Sequence, residues 1–501
     1  MDAARPSAEV VVIDGPRIRA VGERAVADQF PMARRIDLDG RTLVPGLIDA
    51  HNHLSITALH PRWHDTTGLD DPADLVSAIR EQARAEPDVE WVRLRGWDDT
   101  WPFAPTRHEL DAAGIDRPVI LVHATLHQCV VSSAGLDELG IGRSAEDPPG
   151  GEIVHAPGGA PTGLLVERAW SEAHARSLAA YADPERWGEN IAAHARSLWR
   201  DGITAVHDAA CSPAAEQTYR SLAARRQLPV SVLALPHPAA LLTNDHTARL
   251  EGPPTGEGDA RFRVGPMKLF ADGGVAIALD TMVGGHPIHH GLLMDDLERC
   301  AFDAIERDFR IAVHAIGNTG VDHAIGVFEA AQRRFGERDH RFRIEHAGVT
   351  GPEHWRRLAQ LGVFAVVQPG FVEHVGIQSG GVRFDEHHWL AFAGLAEAGV
   401  QLAASSDEPC APVAPLWCAT KAAIRTTSTG ISLEPDQAVD LETWLHAYTA
   451  GAALAGGQED ERGRLIPGLL ADLAILDLTS DPPQVLETWS GGRRVYPAEE
   501  A

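Results

Sequence analysis

The chain has 501 residues, which is more than one ordinary domain needs but suits an α/β barrel with additional domains. Acidic residues outnumber basic residues by 71 to 44, which gives a formal net charge of −27. Nucleic acids and anionic membranes are bound through basic patches, so neither is expected as a partner.

The cysteines indicate a reducing environment. There are five of them, and none forms a CxxC pair. An odd number of scattered thiols favours a cytoplasmic protein over a disulfide framework. The N-terminal residues lack the basic start and apolar stretch of a signal peptide, and no apolar run approaches the ~20 residues of a membrane helix. A soluble cytoplasmic protein that acts on a small molecule is therefore expected.

Both ends of the chain contain short strand-like runs separated by turn residues. Near the N-terminus they lie at residues 9–13, 17–22 and 35–44. Runs of the same character lie at residues 463–478 and 493–496. Because both groups fall outside the central part of the chain, we predict one small β-sandwich domain built from residues 1–46 and 455–501.

The central part of the chain alternates between apolar runs and helical stretches. The first run begins at Leu47, and seven more follow residue 200, at 203–209, 228–236, 264–273, 310–317, 341–348, 362–370 and 400–409. Their high content of Val, Ile, Leu and Phe indicates parallel strands buried on both faces. Eight strand–helix units predict a (β/α)8 TIM-type barrel, formed by residues 47–62 and 167–454.

The spacing of the strands predicts an insertion. A barrel of ~250 residues uses about 31 residues for each unit. His314 and His346 are 32 positions apart, and His346 and Asp407 are 61 positions apart, which corresponds to one unit and two units. His51 and Thr204 are 153 positions apart. Residues 63–166 are therefore predicted to be a substrate-shaping subdomain between the first and second strands.

Polar residues lie towards the C-terminal ends of the predicted strands, where barrels of this kind carry their catalytic groups. They are His51, His53, Lys268, His314, His346 and Asp407. Imidazoles and carboxylates bind divalent metal ions, with zinc as the default. The alternatives are surface positions for His51 and His53, a core position for His314, and a loop or capping role for Asp407.

Lys268 stands out because it and Lys421 are the only lysines among 44 basic residues. A lysine buried near metal ions has a lowered pKa, and its neutral amine can react with carbon dioxide to form a carbamate that bridges two metal ions. Arginine cannot replace it in this role. The alternative is an unmodified lysine beside a single metal ion.

A series of motifs runs along nearly the whole chain: LVPGLIDAHNHL, RGWDDTWP, GGEIVHAPGGAPTGLL, GITAVHDA, MKLFADG, AVHAIGN, RIEHA, VVQPG, SSDEP and GRLIPGLLADLAILD. With these motifs the chain resembles the amidohydrolase superfamily, and within it the branch related to N-substituted formamide deformylase. The resemblance implies one or two divalent metal ions, and it allows for a homodimer.

The resemblance also implies a role for each candidate ligand. His51 and His53 would bind the more buried ion, and His314 and His346 the second ion. Lys268 would carry the bridging carbamate. Asp407 would bind the buried ion and transfer the proton. Three departures from the family pattern do not touch a ligand: Asn318 where aspartate is usual, Gly274 where a small polar residue is common, and a shortened first hairpin.

These expectations predict a metal-dependent hydrolase that cleaves an amide or formamide C–N bond by attack of a metal-activated hydroxide, with Asp407 as base and then acid. A metal-dependent deaminase or decarboxylase on the same scaffold is the alternative. A binding module or scaffold is disfavoured because all six candidate ligands are present.

Further candidates are weaker. Trp97, His127 and His207 are candidate substrate contacts, with packing or surface positions as the alternative. The histidines of GGHPIHHG (residues 284–291) could line a lid or belong to a solvated loop. Glu345 should point away from its neighbour His346 in a strand, so it is not predicted to be a ligand.

Overall fold

The computed structural model describes residues 7–337 and 339–497. The strands are β1 Val10–Asp14, β2 Arg17–Gly22, β3 Thr42–Pro45, β4 Leu47–Asn52, β5 His64–Asp65, β6 Val92–Trp97, β7 Val119–His123, β8 Gln128–Val131, β9 Gly151–His155, β10 Pro161–Glu167, β11 Ile203–Cys211, β12 Ser231–Pro236, β13 Phe262–Val264, β14 Met267–Phe270, β15 Leu279–Val283, β16 His286–His290, β17 Ile311–Ala315, β18 Arg343–His346, β19 Val349–Thr350, β20 Phe364–Val367, β21 His388–Trp389, β22 Gln401–Ala404, β23 Leu473–Asp477, β24 Gln484–Ser490 and β25 Arg493–Tyr496.

The α-helices are α1 Leu54–Thr57, α2 Pro72–Ala85, α3 Arg107–Asp111, α4 Ser133–Glu138, α5 Ser171–Ala179, α6 Pro184–Ser197, α7 Pro213–Ala224, α8 Leu297–Ile305, α9 Asn318–Phe335, α10 Pro352–Gln360, α11 Phe371–Ser379, α12 Phe392–Glu397, α13 Pro415–Ile424, α14 Leu441–His446 and α15 Ala452–Gly456. Short 3-10 helices span Arg24–Gln29, His60–Arg62, Arg168–Trp170, Leu198–Asp201 and Pro435–Gln437, and a π-helical turn spans Ala447–Gly451.

Two parallel sheets form the centre of the fold. Their strand orders are β13-β12-β11-β4 and β14-β17-β18-β20-β22. Only Gly265 and Pro266 separate β13 from β14, so the chain passes directly from one sheet to the other. On the opposite side Asp407, just after β22, donates its backbone N–H to the carbonyl of His51 in β4 at 2.8 Å. This is a TIM-barrel-like α/β arrangement.

The helices are amphipathic and cover the sheets, as α7 illustrates. The Ser212 hydroxyl caps its N-terminus by accepting the backbone N–H of Ala215, and a proline follows at the first helical position. Ala215, Tyr219 and Leu222 recur at helical spacing and are buried. Burial of a large apolar side chain contributes about 1.5–3 kcal/mol, so this stripe holds the helix against the sheet.

A separate mixed sheet lies between β4 and β11 in the chain. Its strand order is β5-β6-β7-β8-β10-β9. It has its own apolar cluster, in which residues of α2 such as Leu75 and Ile79 join Leu94 of β6 and Leu121 of β7. One face of this sheet therefore has an apolar core of its own, whereas residues such as Ile120 and Val131 belong to the same cluster as the parallel sheets.

The two ends of the chain are joined by backbone pairing. The antiparallel sheet β25-β24-β23-β3 combines β3 from the N-terminal part with three strands from the C-terminal part. In the β1–β2 hairpin, Ile18 donates its N–H to the carbonyl of Leu469 and accepts the N–H of Gly468, both at 2.9 Å.

Three predicted elements differ in detail from the structure. The run at 264–273 is interrupted because Gly265 and Pro266 separate β13 from β14. The run at 35–44 shrinks to β3 because Asp39 and Gly40 turn the chain with φ of +50° and +80°. The GGHPIHHG segment contains β16, an exposed strand of a hairpin.

The described residues contain no helix with both the length and the apolar character required to cross a bilayer. The five cysteines are free thiols.

Candidate metal centre

The six predicted ligands are buried, and the five other than Lys268 lie at short distances from one another. None of them is more than 8% exposed. The Nε2 atoms of His51 and His53 lie 3.4 and 3.1 Å from Oδ1 of Asp407. The ring centroids of His51 and His346 are 4.9 Å apart, and those of His346 and His314 are 4.5 Å apart.

Two of these residues have unusual backbone conformations. His346 at the end of β18 has φ of +76°, and Asp407 after β22 has φ of +59°. L-residues other than glycine rarely adopt positive φ, and such conformations cost about 1–3 kcal/mol each. The surrounding fold therefore holds both side chains in place against local strain.

The hydrogen bonds of His51 and His53 fix which nitrogen faces the centre. Nδ1 of His51 lies 2.5 Å from Oε2 of Glu345, and Nδ1 of His53 lies 2.7 Å from the carbonyl of Ala209. Because each Nδ1–H donates to an oxygen, each neutral ring keeps its lone pair on Nε2. Both lone pairs then face Asp407.

The surroundings of Oδ1 of Asp407 indicate that a cation fits between these side chains. This atom is buried and accepts no hydrogen bond of good geometry, although two imidazole nitrogens lie within 3.4 Å. Two lone pairs and a carboxylate oxygen that face one another repel unless a positive charge lies between them. The donor set therefore fits a divalent ion.

Each of His346 and His314 also has one ring nitrogen engaged by a protein oxygen and the other left free. Nδ1–H of His346 donates to Oε1 of Gln368 at 2.9 Å, which leaves its Nε2 lone pair free. Nε2 of His314 lies 3.3 Å from the carbonyl of Gly273, which leaves its Nδ1 lone pair free. One ligand atom each from His51, His346 and Asp407 lie within 4.8 Å of one another.

The protonation states of His51, His346 and Asp407 favour metal binding. Burial lowers the pKa of His51 to about 4 and that of His346 to about 3, so both imidazoles are neutral near pH 7. Burial alone would raise the pKa of Asp407, but the neighbouring histidines hold it well below its usual range. Burial lowers the pKa of His53, but the neighbouring Asp407 raises it by a larger amount, so the pKa of His53 lies above its usual value.

Lys268 lies next to the histidines and is 1% exposed. Its Nζ lies 4.9 Å from the ring centre of Phe270, and that ring lies 5.1 Å from His314. Burial lowers the pKa of Lys268 to about 8, although Glu345 and Asp407 act in the opposite direction. Its amine therefore remains mostly protonated at pH 7, but about a tenth is neutral, far more than for an ordinary lysine.

Sequence reasoning missed the partners that orient these ligands. Glu345 points away from His346, as strand alternation predicts, and it meets His51 instead. Nε of Arg343 donates to Glu345 at 2.9 Å. The spacing RIE offered a signal, because Arg343 and Glu345 share one face of β18. Gln368, the partner of His346, carried no comparable signal.

The three weaker candidates have different surroundings. Nδ1 of His127 lies 2.7 Å from Oε2 of Glu167, and its ring centre lies 5.2 Å from that of His314. Trp97 is buried in the apolar cluster of the mixed sheet, 4.7 Å from the ring of His123. Both ring nitrogens of His207 are engaged, with Arg343 at 3.0 Å and with Gln458 at 3.2 Å. Substrate contacts by Trp97 and His207 remain predictions.

Two of the departures from the family pattern, Asn318 and Gly274, are explained by local packing. Oδ1 of Asn318 accepts the backbone N–H of Asp280 at 3.0 Å, and its Nδ2 donates to the carbonyl of Asp280 at 2.8 Å. Asn318 thereby ties α9 to the β15–β16 hairpin. A Cβ atom on Gly274 would lie 2.4 Å from the ring of His127, so only glycine fits there.

Comparison with known proteins agrees with this geometry. The model of the amidohydrolase family matches residues 34–496. The chain belongs to the amidohydrolase family. It is therefore a hydrolytic enzyme that acts on carbon–nitrogen bonds, as the sequence predicts. Family members bind divalent metal ions, which fits the donor set described above.

Two relatives and one solved structure cover most of the chain. An N-substituted formamide deformylase from Arthrobacter pascens is 30% identical, over 95% of this chain and 91% of the relative. The putative amidohydrolase YtcJ from Bacillus subtilis is 28% identical, over 93% and 91%. A metal-dependent hydrolase of uncharacterised function from Pyrococcus horikoshii superposes with a TM-score of 0.70 at 25% identity, over 94% of this chain and 93% of that one.

Proposed function

We propose that this enzyme hydrolyses an amide or formamide C–N bond in a small molecule. The observation that carries the proposal is the buried Oδ1 of Asp407, which faces Nε2 of His51 and of His53 without a good hydrogen bond. The formamide part is supported by the similarity to the deformylase from Arthrobacter pascens.

We assign the ligands as follows. His51, His53 and Asp407 would hold one divalent ion, with zinc as the first choice for a site rich in histidine. His314 and His346 would hold a second ion. The neutral amine of Lys268 would add to carbon dioxide, forming an N–C bond and releasing one proton, and the resulting carbamate would bridge the two ions.

The bound ion and the protein side chains would supply different parts of the chemistry. A divalent ion bound here would polarise the substrate carbonyl and acidify the attacking water. Asp407 would accept the proton of that water as the oxygen adds to the carbonyl carbon. Asp407 would then pass the proton to the nitrogen as the C–N bond breaks, so that an amine and a carboxylic acid leave. The low pKa of Asp407 keeps this carboxylate ionised near neutral pH, which leaves it free to accept a proton.

A panel of compounds on the zinc-supplemented full-length chain tests this function. N-alkylformamides and N-acyl amines should yield an amine and a carboxylic acid, and a chelator should abolish the reaction. Ammonia release from amino-substituted heterocycles, without amide cleavage, would support the deaminase alternative and contradict the proposal. Carbon dioxide release from carboxylates would support the decarboxylase alternative.

We also infer that the two parallel sheets close into one (β/α)8 barrel, in which β13 and β14 together form one of the eight strands. The short step between β13 and β14 and the hydrogen bond from Asp407 to His51 support closure at both seams. The domains would then be residues 47–62 with 167–454 for the barrel, 63–166 for the insertion, and 1–46 with 455–501 for a β-sandwich. A cytoplasmic location and a homodimer remain predictions.

A further inference from the structure

A buried carboxylate at the end of the mixed sheet contacts the segment that follows β14. Glu167 ends β10 and is fully buried. Its Oε1 accepts the backbone N–H groups of Gly274, Val275 and Ala276 at 3.1, 2.9 and 2.8 Å. Its Oε2 lies 2.7 Å from Nδ1 of His127. These contacts join the insertion to the segment that follows β14, the strand of Lys268.

Two adjacent glycines make this approach possible. A Cβ atom on Gly273 would lie 2.4 Å from the carboxyl group of Glu167, and one on Gly274 would lie 2.4 Å from the ring of His127. Any larger residue would push the two side chains away from the backbone. The pair Gly273–Gly274 therefore fits this arrangement, which explains the departure from the family pattern at Gly274.

The arrangement fixes the tautomer of His127. Nδ1 of His127 lies 2.7 Å from Oε2 of Glu167 and 2.9 Å from the backbone nitrogen of Gly274. Because a carboxylate oxygen can only accept, Nδ1 carries the proton and donates it to Glu167, while the N–H of Gly274 donates to Oε1 of Glu167 at 3.1 Å. Nε2 of His127 then carries the lone pair. Among the described residues no hydrogen bond to this atom is made, and the side chain is 13% exposed while its neighbour His314 is 2% exposed. His127 thus offers a hydrogen-bond acceptor beside the metal ligands.

We propose that Nε2 of His127 accepts the N–H of the scissile amide, so that the enzyme selects N-monosubstituted amides over N,N-disubstituted ones. This inference rests on the proposed function. Glu167 acts as a positioning residue, because it holds the imidazole and does not itself face the substrate. An N-methyl group in place of the N–H would meet the lone pair without a hydrogen bond and would crowd the ring.

A matched pair of compounds tests the inference: N-butylformamide and N-butyl-N-methylformamide. With the zinc-loaded wild-type enzyme, kcat/KM should favour the N–H compound by about tenfold or more, the value of one well-formed hydrogen bond to a desolvated group. The His127→Ala variant should lose this preference through a higher KM for the N–H compound alone. Glu167→Gln should reduce the preference in the same direction, and His108→Ala, at an exposed position of the same insertion, should retain it.

Binding separates this inference from the proposed function. Dissociation constants of the same two compounds, measured by calorimetry on the chelator-treated full-length chain, do not depend on turnover. Tighter binding of the N–H compound by the wild type but not by His127→Ala would support the role of His127, even if neither compound were hydrolysed. Equal binding of the two compounds by the wild type, a preference that survives in His127→Ala, or no binding of either compound would overturn it.

Discussion

Nδ1 of His51 lies 2.5 Å from the carboxylate of Glu345, which is held in turn by Nε of Arg343 at 2.9 Å. All three side chains are buried. The ionised Glu345 fixes the proton of His51 on Nδ1 and increases the basicity of Nε2, the nitrogen that faces Asp407. A carboxylate on the opposite side of a histidine is a common partner of metal ligands, and this relationship gives the first prediction.

Replacement of Glu345 by glutamine should weaken zinc binding. The amide keeps the shape of the side chain but loses the charge that supports His51, so zinc affinity should fall by about 10–100-fold. Competition with a chromophoric chelator measures the affinity. Glu353→Gln, at an exposed position of α10, is the control and should bind zinc like the wild type. Wild-type affinity in Glu345→Gln would contradict this role.

The lysines provide a second prediction with an internal control. Lys268→Arg should lose both bound metal and activity, because a guanidinium cannot form a carbamate and brings a permanent positive charge into the centre. Lys421→Arg should be close to neutral, since Lys421 is partly exposed and its ion pair with Glu373 at 3.2 Å can also be made by arginine. Metal content and turnover measured on both variants check this. A fully active Lys268→Arg enzyme would eliminate the bridging role.

The Asp407→Asn variant should fold like the wild type but lose most of its turnover. The amide is nearly isosteric, so the circular dichroism spectrum should be unchanged. Loss of the proton acceptor should lower kcat by about 10²–10⁴-fold. Asp436→Asn, an exposed position, should have wild-type kcat. Wild-type turnover by Asp407→Asn would remove the proton-transfer assignment.

The buried carboxyl of Asp208 predicts a pH dependence of stability. Burial raises its pKa from 3.8 to about 6, although the hydroxyl of Tyr219 donates to it at 2.8 Å. Because the folded pKa lies above the unfolded one, the stabilisation is complete below about pH 4 and is lost as the pH rises towards about 6. The loss amounts to about 3 kcal/mol.

Urea denaturation of the metal-free chain, compared with Asp208→Asn, measures this effect. The variant cannot ionise at this position, so its free energy of unfolding relative to the wild type should increase between about pH 4 and about pH 6. Groups common to both proteins cancel in the comparison. A difference that does not change with pH would show that Asp208 does not titrate in this range.

The sequence predicted the strand ends better than it predicted the contacts between them. The strands that carry His51, Lys268, His314 and His346 lie where their apolar runs predicted. This agreement follows from the local nature of the signal, since apolar composition and turn residues are read within a few positions. The amidohydrolase family and its hydrolytic activity were also predicted, and the comparisons confirm both.

The rest depended on tertiary structure. Glu167 approaches His127 and Gly274 across 40 and 107 positions of the chain, and nothing in the local pattern indicates this pairing. The positive φ of His346 and of Asp407 is a backbone feature that a strand period of two cannot anticipate. The two hydrogen bonds between Asn318 and Asp280, 38 positions apart, likewise had no signal in the local pattern.

Metal stoichiometry is the most direct test of the central claim, that these six residues bind divalent metal ions for hydrolysis. Protein purified without chelators and supplemented with zinc would be analysed by plasma mass spectrometry, together with His51→Ala. We expect two ions per wild-type chain and a clear loss in the variant. One ion per chain would contradict the bridge at Lys268, and no bound ion after addition of zinc would contradict the metal centre itself.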